Sequence, residues 1–289
     1  MHLSVIIPCR NGADTIATQL EALAGQSWPE AWEVIVADNG STDASVAIAG
    51  RYRGRLPNLQ IVDASARRGA AYARNVGARA ASGTALAFCD ADDAVGVGWL
   101  AAMGKALSEH NFVASRFDIE QLNPAWIQEH FRSLAQQHGL QKVLYPPYLP
   151  HAGGSGLGVK RTLHEAIGGF DESLLRLMDT DYCFRVQLTG VPLHFASEAM
   201  VHVRLRHELR GLFHQACLWG QYNVLMYKRY RPSDLTLPRP WRRYLKRWEG
   251  LFWRLPELRD RAGRAAWIAS LGWQVGRLHG SLKYRVPPV

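Results

Sequence analysis

Thr84-Ala85-Leu86-Ala87-Phe88-Cys89-Asp90-Ala91-Asp92-Asp93 is an apolar run that ends abruptly in three carboxylates. Successive side chains in an extended strand alternate faces, so Asp90 and Asp92 are expected on one side where the strand leaves the core. Two hard oxygen donors at one point suit Mg²⁺ or Mn²⁺, and such a cation suits a diphosphate. A solvated Asp-rich turn is the other reading of the same letters, because Asp is common where strands end.

Upstream, strands and helices alternate. Leu3-Ser4-Val5-Ile6-Ile7-Pro8 reads as a buried strand, Asp14 to Leu23 as a helix with Ile16, Leu20 and Leu23 on one face, and Glu33 to Asp38 as a second strand ending on an acid. Ser41-Thr42-Asp43 is rich in capping side chains, Leu59 to Val62 is a third short strand, and Ala70 to Ala81 is an Ala-rich helix. This alternation predicts an α/β fold whose mostly parallel, Rossmann-like sheet is covered by helices on both faces. Ligands of such sheets sit beyond the carboxyl ends of the strands, where Asp38 and Asp90 fall. Neither a dinucleotide fingerprint nor a phosphate-cradling P-loop follows any strand, so a bound nucleotide is held another way.

At 289 residues the chain has ample length for a core. The first strand starts at Leu3 without a basic and apolar leader, so no secretory signal is expected, and the apolar stretch Ala265 to Gly276 is too short for a membrane span. Cys9, Cys89, Cys183 and Cys217 show no paired spacing, which predicts neither zinc nor disulfides and fits a cytoplasmic setting. The net charge of +9 is uneven: residues 231–289 carry thirteen Lys and Arg against four acids, so the first 230 are formally neutral.

Four motifs in order, Val5-Ile6-Ile7-Pro8-Cys9-Arg10-Asn11-Gly12, Val36-Ala37-Asp38-Asn39-Gly40-Ser41-Thr42-Asp43, Gly69-Ala70-Ala71-Tyr72-Ala73-Arg74-Asn75-Val76-Gly77 and Asp90-Ala91-Asp92-Asp93, resemble those of the family 2 glycosyltransferases with the GT-A fold. A fifth follows in Gly168-Gly169-Phe170-Asp171-Glu172 with Asp179-Thr180-Asp181 and Arg185. The resemblance covers about residues 3 to 230. It implies a nucleotide-sugar-binding half over 1–110 and an acceptor-binding, catalytic half over 111–230, with 231–289 as a basic tail. It further implies that Pro8 and Asn11 line the nucleotide pocket, Asp38 contacts base or ribose, and Arg74 holds the nucleotide side of the donor. Asp90 would approach ribose and metal, and Asp92 would coordinate the Mn²⁺ or Mg²⁺ that bridges the phosphates.

In this family the base is the Asp of a Glu-Asp pair before a helix, which maps to Asp179; Met178 stands where the Glu would be. The local alternative is that Asp179 caps a helix starting at Asp181, with Asp181 and Arg185 paired one turn apart. Val201 to Arg206 alternates strictly, putting His202, Arg204 and Arg206 on one face; the resemblance implies that this region supplies a further metal ligand, His202, and diphosphate contacts, Arg204 and Arg206. The implied activity is inverting transfer from a nucleoside diphosphate-sugar, UDP by default, to a glycan or lipid-linked acceptor. A retaining transferase, a nucleotidyltransferase and a non-catalytic sugar-nucleotide binder are the competing readings. Nucleic-acid binding is disfavoured by the neutral main domain.

In the tail, Trp241, Tyr244, Leu245, Trp248, Leu251, Phe252 and Leu255 recur at helical spacing among Arg242, Arg243, Lys246 and Arg247; a second helix aligns Trp267, Ile268, Leu271, Val275 and Leu278. Such helices either pack on the domain or lie in an anionic membrane interface, which would place the protein at the inner face of the cytoplasmic membrane.

Overall fold

The computed structural model describes residues 1–131, 135–232 and 240–287. Strands are Leu3–Cys9 (β1), Trp32–Asp38 (β2), Gln60–Asp63 (β3), Ala85–Phe88 (β4), Ala94–Val95 (β5), Phe112–Asp118 (β6), Gln141–Lys142 (β7), Pro150–His151 (β8), Leu157–Lys160 (β9) and His194–His202 (β10). Helices are Ile16–Ala24 (α1), Ser45–Gly50 (α2), Ala70–Ala80 (α3), Trp99–Glu109 (α4), Ala125–Phe131 (α5), Arg161–Ala166 (α6), Met178–Leu188 (α7), Leu209–Tyr230 (α8), Pro240–Trp253 (α9) and Arg261–Tyr284 (α10).

Eight strands form one sheet in the order β3-β2-β1-β4-β9-β6-β10-β5. The pairs β3-β2, β2-β1, β1-β4 and β6-β10 are parallel, as the alternation of strands and helices predicts. β9 runs antiparallel between β4 and β6, and β5 antiparallel on β10, so the sheet is mixed. β1 shows why its sequence is apolar throughout. Val5 and Ile7 enter a core with Ile16, Leu20 and Trp99, while Ile6 points to the opposite core with Ala78, Phe88 and Tyr182. Registers Cys9↔Asp38 and Asp38↔Asp63 bring the carboxyl ends of β1, β2 and β3 level.

β4 ends at Phe88, two residues before Asp90. The expectation that strand alternation aligns Asp90 with Asp92 is thereby corrected: both lie in the turn that follows. β10 likewise ends at His202, so Arg204 and Arg206 stand beyond the strand and the expected six-residue alternation stops at its second member. Helix α7 starts at Met178 with Leu177 as its N-cap, so Asp179 belongs to the first turn and does not cap a helix beginning at Asp181.

Beneath the sheet, His164 is 6% exposed, with Nδ1 2.9 Å from the Tyr182 hydroxyl and Phe88 and Phe170 as ring neighbours. Burial, reinforced by the charges of Arg161, Arg185 and Arg79, pushes its pKa down to about 4. A histidine held neutral in the fold contributes stability fully above its unfolded pKa, and that contribution disappears as pH falls from there to the folded pKa. Unfolding titrations should therefore show stability dropping by about 3 kcal/mol between pH 7 and pH 4 from this residue. His164→Gln should flatten that part of the profile, and an unchanged slope would refute the assignment.

The chain divides into two compact units, Met1–Leu122 with Leu134–Gln141 and Pro150–Arg204, and Asn123–Ser133 with Lys142–Leu149 and Leu205–Val289. In the second unit α8 packs along α10. The reason is a small-residue stripe in α10. Gly272, Gly276 and Gly280 are buried, and a Cβ at any of them would collide with the carbonyl oxygens of Phe213, Cys217 or Gln221 on α8. The expected stripe of Trp267, Ile268, Leu271, Val275 and Leu278 is accordingly only half-buried or exposed. On α9, Tyr244 and Leu251 are buried while Leu245 and Phe252 are exposed; the side chains of Trp241 and Arg243 lie outside the described residues. No helix among the described residues is long and apolar enough to cross a membrane.

Candidate active site

The turn after β4 folds its three acids together. Asp90, Asp92 and Asp93 each offer a carboxylate oxygen, and these lie within 4.8 Å of one another. Asp92 is exposed, Asp90 half-buried and Asp93 buried. Asp93, absent from the sequence expectation, is the pivot of the turn. Its Oδ1 accepts from Arg204 N at 2.9 Å, and burial, with the like charges of Asp92 and Asp90, drives its pKa well above the carboxylate range. Arg204 is held at the same turn by a second bond, Nε to the Asp92 carbonyl at 3.0 Å.

Arg74 rises from α3 and donates Nη2 to Asp90 Oδ1 at 2.5 Å. Its guanidinium is 3% exposed and lies 5.5 Å from the centre of the Phe170 ring, which itself stacks on Tyr182. Nε and Nη1 of Arg74 are buried without a hydrogen-bond partner. Two orphan donors on a buried cation are costly, and such a group suits an anionic or acceptor-rich ligand.

The segment Gly153 to Gly156 connects this turn with Asp179. Gly154 N donates to Asp179 Oδ2 at 3.0 Å, and the next residue, Ser155, accepts from Asp90 N through Oγ at 3.2 Å. A Cβ at position 154 would come within 2.6 Å of the Arg74 guanidinium, so a side chain there would displace the end of Arg74. His151 stands near Asp179: burial lowers its pKa and the Asp179 charge opposes that shift. Neither His151 nor Ser155 was expected from sequence; only the glycine cluster between them hinted at close packing there.

Beyond β1 and β2 the loops are sewn to each other. Asn11, at φ +50, accepts from Thr42 N at 2.8 Å, and its own N donates to Ser41 Oγ at 3.0 Å. Asp38 accepts from Ser41 N through both oxygens, at 3.2 and 3.3 Å. Asn39 donates Nδ2 to the Ala64 and Arg67 carbonyls and accepts from Gly69 N, tying in the third loop. Pro8, half-buried, ends the apolar part of β1 at this edge. Pro8, Asn11, Asp38, Arg74 and Asp90 thus all lie at the carboxyl edge of the parallel strands.

His202 is not among the groups gathered at the carboxylate cluster. It is buried, with Nδ1 2.6 Å from Asp118 Oδ2. Arg206 is exposed and belongs to the second unit.

A family model described as "Glycosyl transferase family 2" matches residues 4–168, which include the acidic turn, Arg74 and the Gly153–Gly156 segment. The chain belongs to that family. Among relatives of this family 2 chain, an uncharacterized glycosyltransferase, YibD, of Escherichia coli (strain K12) is 45% identical over 93 residues, 32% of this chain and 26% of that protein. Glycosyltransferase AglE of Haloferax volcanii is 28% identical over 201 residues, 68% of this chain and 65% of that protein. The family 2 chain therefore spans less than two thirds of the length of either. Two solved structures share its fold. The mannosyltransferase PcManGT from Pyrobaculum calidifontis, in complex with GDP-Man and Mn²⁺, has a TM-score of 0.62 at 20% identity, covering 97% of this chain and 75% of that one. Residues 1–349 of S. aureus TarS, in complex with UDP-GlcNAc, give 0.56 at 18%, covering 99% and 93%. The fold of this family 2 member is GT-A.

Proposed function

We propose that this chain is an inverting, metal-dependent transferase that moves a sugar from a nucleoside diphosphate donor, UDP by default, to a saccharide or lipid-linked acceptor in cell-surface glycan synthesis. The observation that carries this reading is the meeting of three carboxylates within 4.8 Å with a buried arginine that has two unpartnered N–H groups. Hard oxygen donors in that number fit Mn²⁺ or Mg²⁺, which Asp90 and Asp92 would hold with Asp93 beside them. When bound, the cation would neutralise charge on the departing diphosphate. Neighbours in fold crystallised with GDP-Man and Mn²⁺ or with UDP-GlcNAc support a ligand of this class.

Arg74 offers its orphan Nε and Nη1 to the donor while Asp90 and the Phe170 face hold the guanidinium in place. Pro8, Asn11 and Asp38 take the nucleoside, within loops already fixed by the bonds to Ser41 and Thr42. Asp179 receives the proton of the acceptor hydroxyl as that oxygen attacks the anomeric carbon; the Gly154 N–H on Oδ2 fixes the carboxylate's direction. With Met178 in place of the family's Glu, His151 is the neighbouring polar side chain left to orient the acceptor. Arg204, tied to Asp92 and Asp93, supplies positive charge at the diphosphate, and Arg206 is assigned the same role from its charge. His202, engaged by Asp118, has the carboxylate–histidine arrangement that supports metal ligands, and we keep it as an outer candidate. The basic tail, residues 232–289, is assigned to peripheral contact with an anionic membrane at its cytoplasmic face, and no nucleic-acid role is assigned.

The experiment is a thermal-shift screen against UDP, GDP, dTDP and CDP, each with Mn²⁺ and with EDTA. A ligand that binds only the folded state raises its apparent stability, so one nucleotide should raise the midpoint in a metal-dependent way. Absence of any rise would overturn the donor-site reading.

A further inference from the structure

The chain from β8 to Gly154 is fastened along α7 at four points. Gln187 Nε2 donates to the Pro150 carbonyl at 2.7 Å, His151 Nδ1 lies 3.3 Å from Thr180 Oγ1, Cys183 Sγ donates to the Ala152 carbonyl at 3.8 Å, and Gly154 N donates to Asp179 Oδ2 at 3.0 Å. Thr180 joins two of these contacts, because its own N donates to Asp179 Oδ1 at 2.9 Å while its hydroxyl meets the imidazole. The edge-on ring of Phe184, 6.1 Å from that of His151 at 88°, supports the imidazole from a third side. Met178, where the family resemblance places a carboxylate, packs against the core that contains Phe170 and Tyr182 and brings no polar group to the base.

The bond between Thr180 and His151 decides where the imidazole carries its proton. Thr180 is 3% exposed, and its hydroxyl has no acceptor among the described residues other than His151 Nδ1. A proton on Nδ1 would leave that buried hydroxyl with nothing to donate to, whereas a bare Nδ1 satisfies both groups and sends the imidazole proton to Nε2. Burial favours the neutral ring, against the opposing charge of Asp179. Nε2 has no hydrogen-bond partner among the described residues and is not sealed from solvent, so its N–H is presented outward beside the carboxylate. On the reading of Asp179 as the base, we propose that His151 Nε2–H donates to an oxygen of the acceptor saccharide next to the reacting hydroxyl, with Thr180 as the positioning residue that fixes the tautomer. The polarity is opposite to that of a carboxylate. A carboxylate demands a proton from the sugar, while this N–H demands only a lone pair, so an ether or substituted oxygen satisfies it as well as a free hydroxyl does.

The test uses the full chain as wild type, His151→Gln, His151→Phe and Thr180→Val. Nitrogen NMR of histidine-labelled protein, with the His151 signals identified by their loss in His151→Gln, reads the ring directly. At neutral pH the wild type should show an uncharged ring with its proton on Nε2, and Thr180→Val should populate both tautomers. A charged ring, or a proton on Nδ1, would overturn the assignment. The methyl glycosides of glucose, galactose, mannose and N-acetylglucosamine serve as acceptor probes, and at least one should shift the Nε2–H signal on titration. Its affinity should fall about tenfold in His151→Phe and less in His151→Gln, whose amide still offers an N–H. In Thr180→Val it should fall in proportion to the rings that have lost the Nε2 proton, a link that a merely structural role would not produce. One monodeoxy form of the probe should bind about tenfold more weakly to the wild type and no differently to His151→Phe, which pairs the missing oxygen with the imidazole. Equal affinity in all four proteins, or no shift with any glycoside, would overturn the acceptor contact. The metal-dependent nucleotide response is read on the same samples: its absence from the wild type counts against the transferase reading, and its presence beside a failed sugar response counts against His151 alone.

Discussion

Asp92→Asn is expected to abolish the metal-dependent rise in melting midpoint with nucleotide and to lower kcat/KM for sugar transfer by about a hundredfold or more. The side chain is exposed, and the contact that Arg204 makes at this residue is to its backbone carbonyl, which the substitution leaves intact. What changes is one charged oxygen donor of a three-carboxylate cluster, so the effect falls on the ligand that needs all of them. Asp93→Ala is a poor substitute for this experiment because Asp93 is buried and accepts the Arg204 N–H, so its loss disturbs the turn itself. Thermal shift with Mn²⁺ and with EDTA, together with a product assay, reads both effects. A variant that kept its metal-dependent response would remove the cluster from the donor site.

The second large effect is expected at Asp179→Asn, which should reduce kcat by about 10²- to 10⁴-fold with donor affinity unchanged. Asparagine preserves size and can still accept the Gly154 N–H through its carbonyl oxygen, which holds the Gly153–Gly156 segment. It loses the capacity to take a proton, together with the second oxygen that accepts the Thr180 N–H at 2.9 Å. Measuring kcat with saturating acceptor alongside nucleotide binding separates the two roles, since a structural part would move both. The anomeric configuration of the wild-type product completes the test: a retained configuration, or an active variant, would favour the retaining or nucleotidyl readings that need no base at this position.

The parallel half of the fold was legible because its signal is local. Each apolar run ends in a polar turn, and β1 is buried on both faces, so periodicity and burial point the same way. β9 was not legible. Leu157–Lys160 is four residues long, flanked by glycines and a helix, and its antiparallel place between β4 and β6 is decided by strands distant in sequence. The acidic cluster was read correctly as a meeting of Asp90 and Asp92 but for the wrong reason. A turn gathers the acids, and the same turn recruits Asp93, which strand alternation would have sent to the other face. In the tail, counting large apolar residues missed the buried side of α10, because that side is built from Gly272, Gly276 and Gly280, whose value lies in what they lack. His151 had no sequence signal beyond the glycines beside it: it acquires its significance from burial and the nearby Asp179 charge, which only the folded chain supplies.

The backbone from Gly153 to Gly156 grips the acidic turn through Ser155 and the Asp179 carboxylate through Gly154. On the reading offered above, these four residues act as a fixed gauge between the place where a bond breaks and the place where a proton leaves. Loops around either end can then diverge to suit new sugars or acceptors while the gauge stays constant, so donor and acceptor preference are free to change separately. Inserting one residue in that stretch would throw both ends out of phase together.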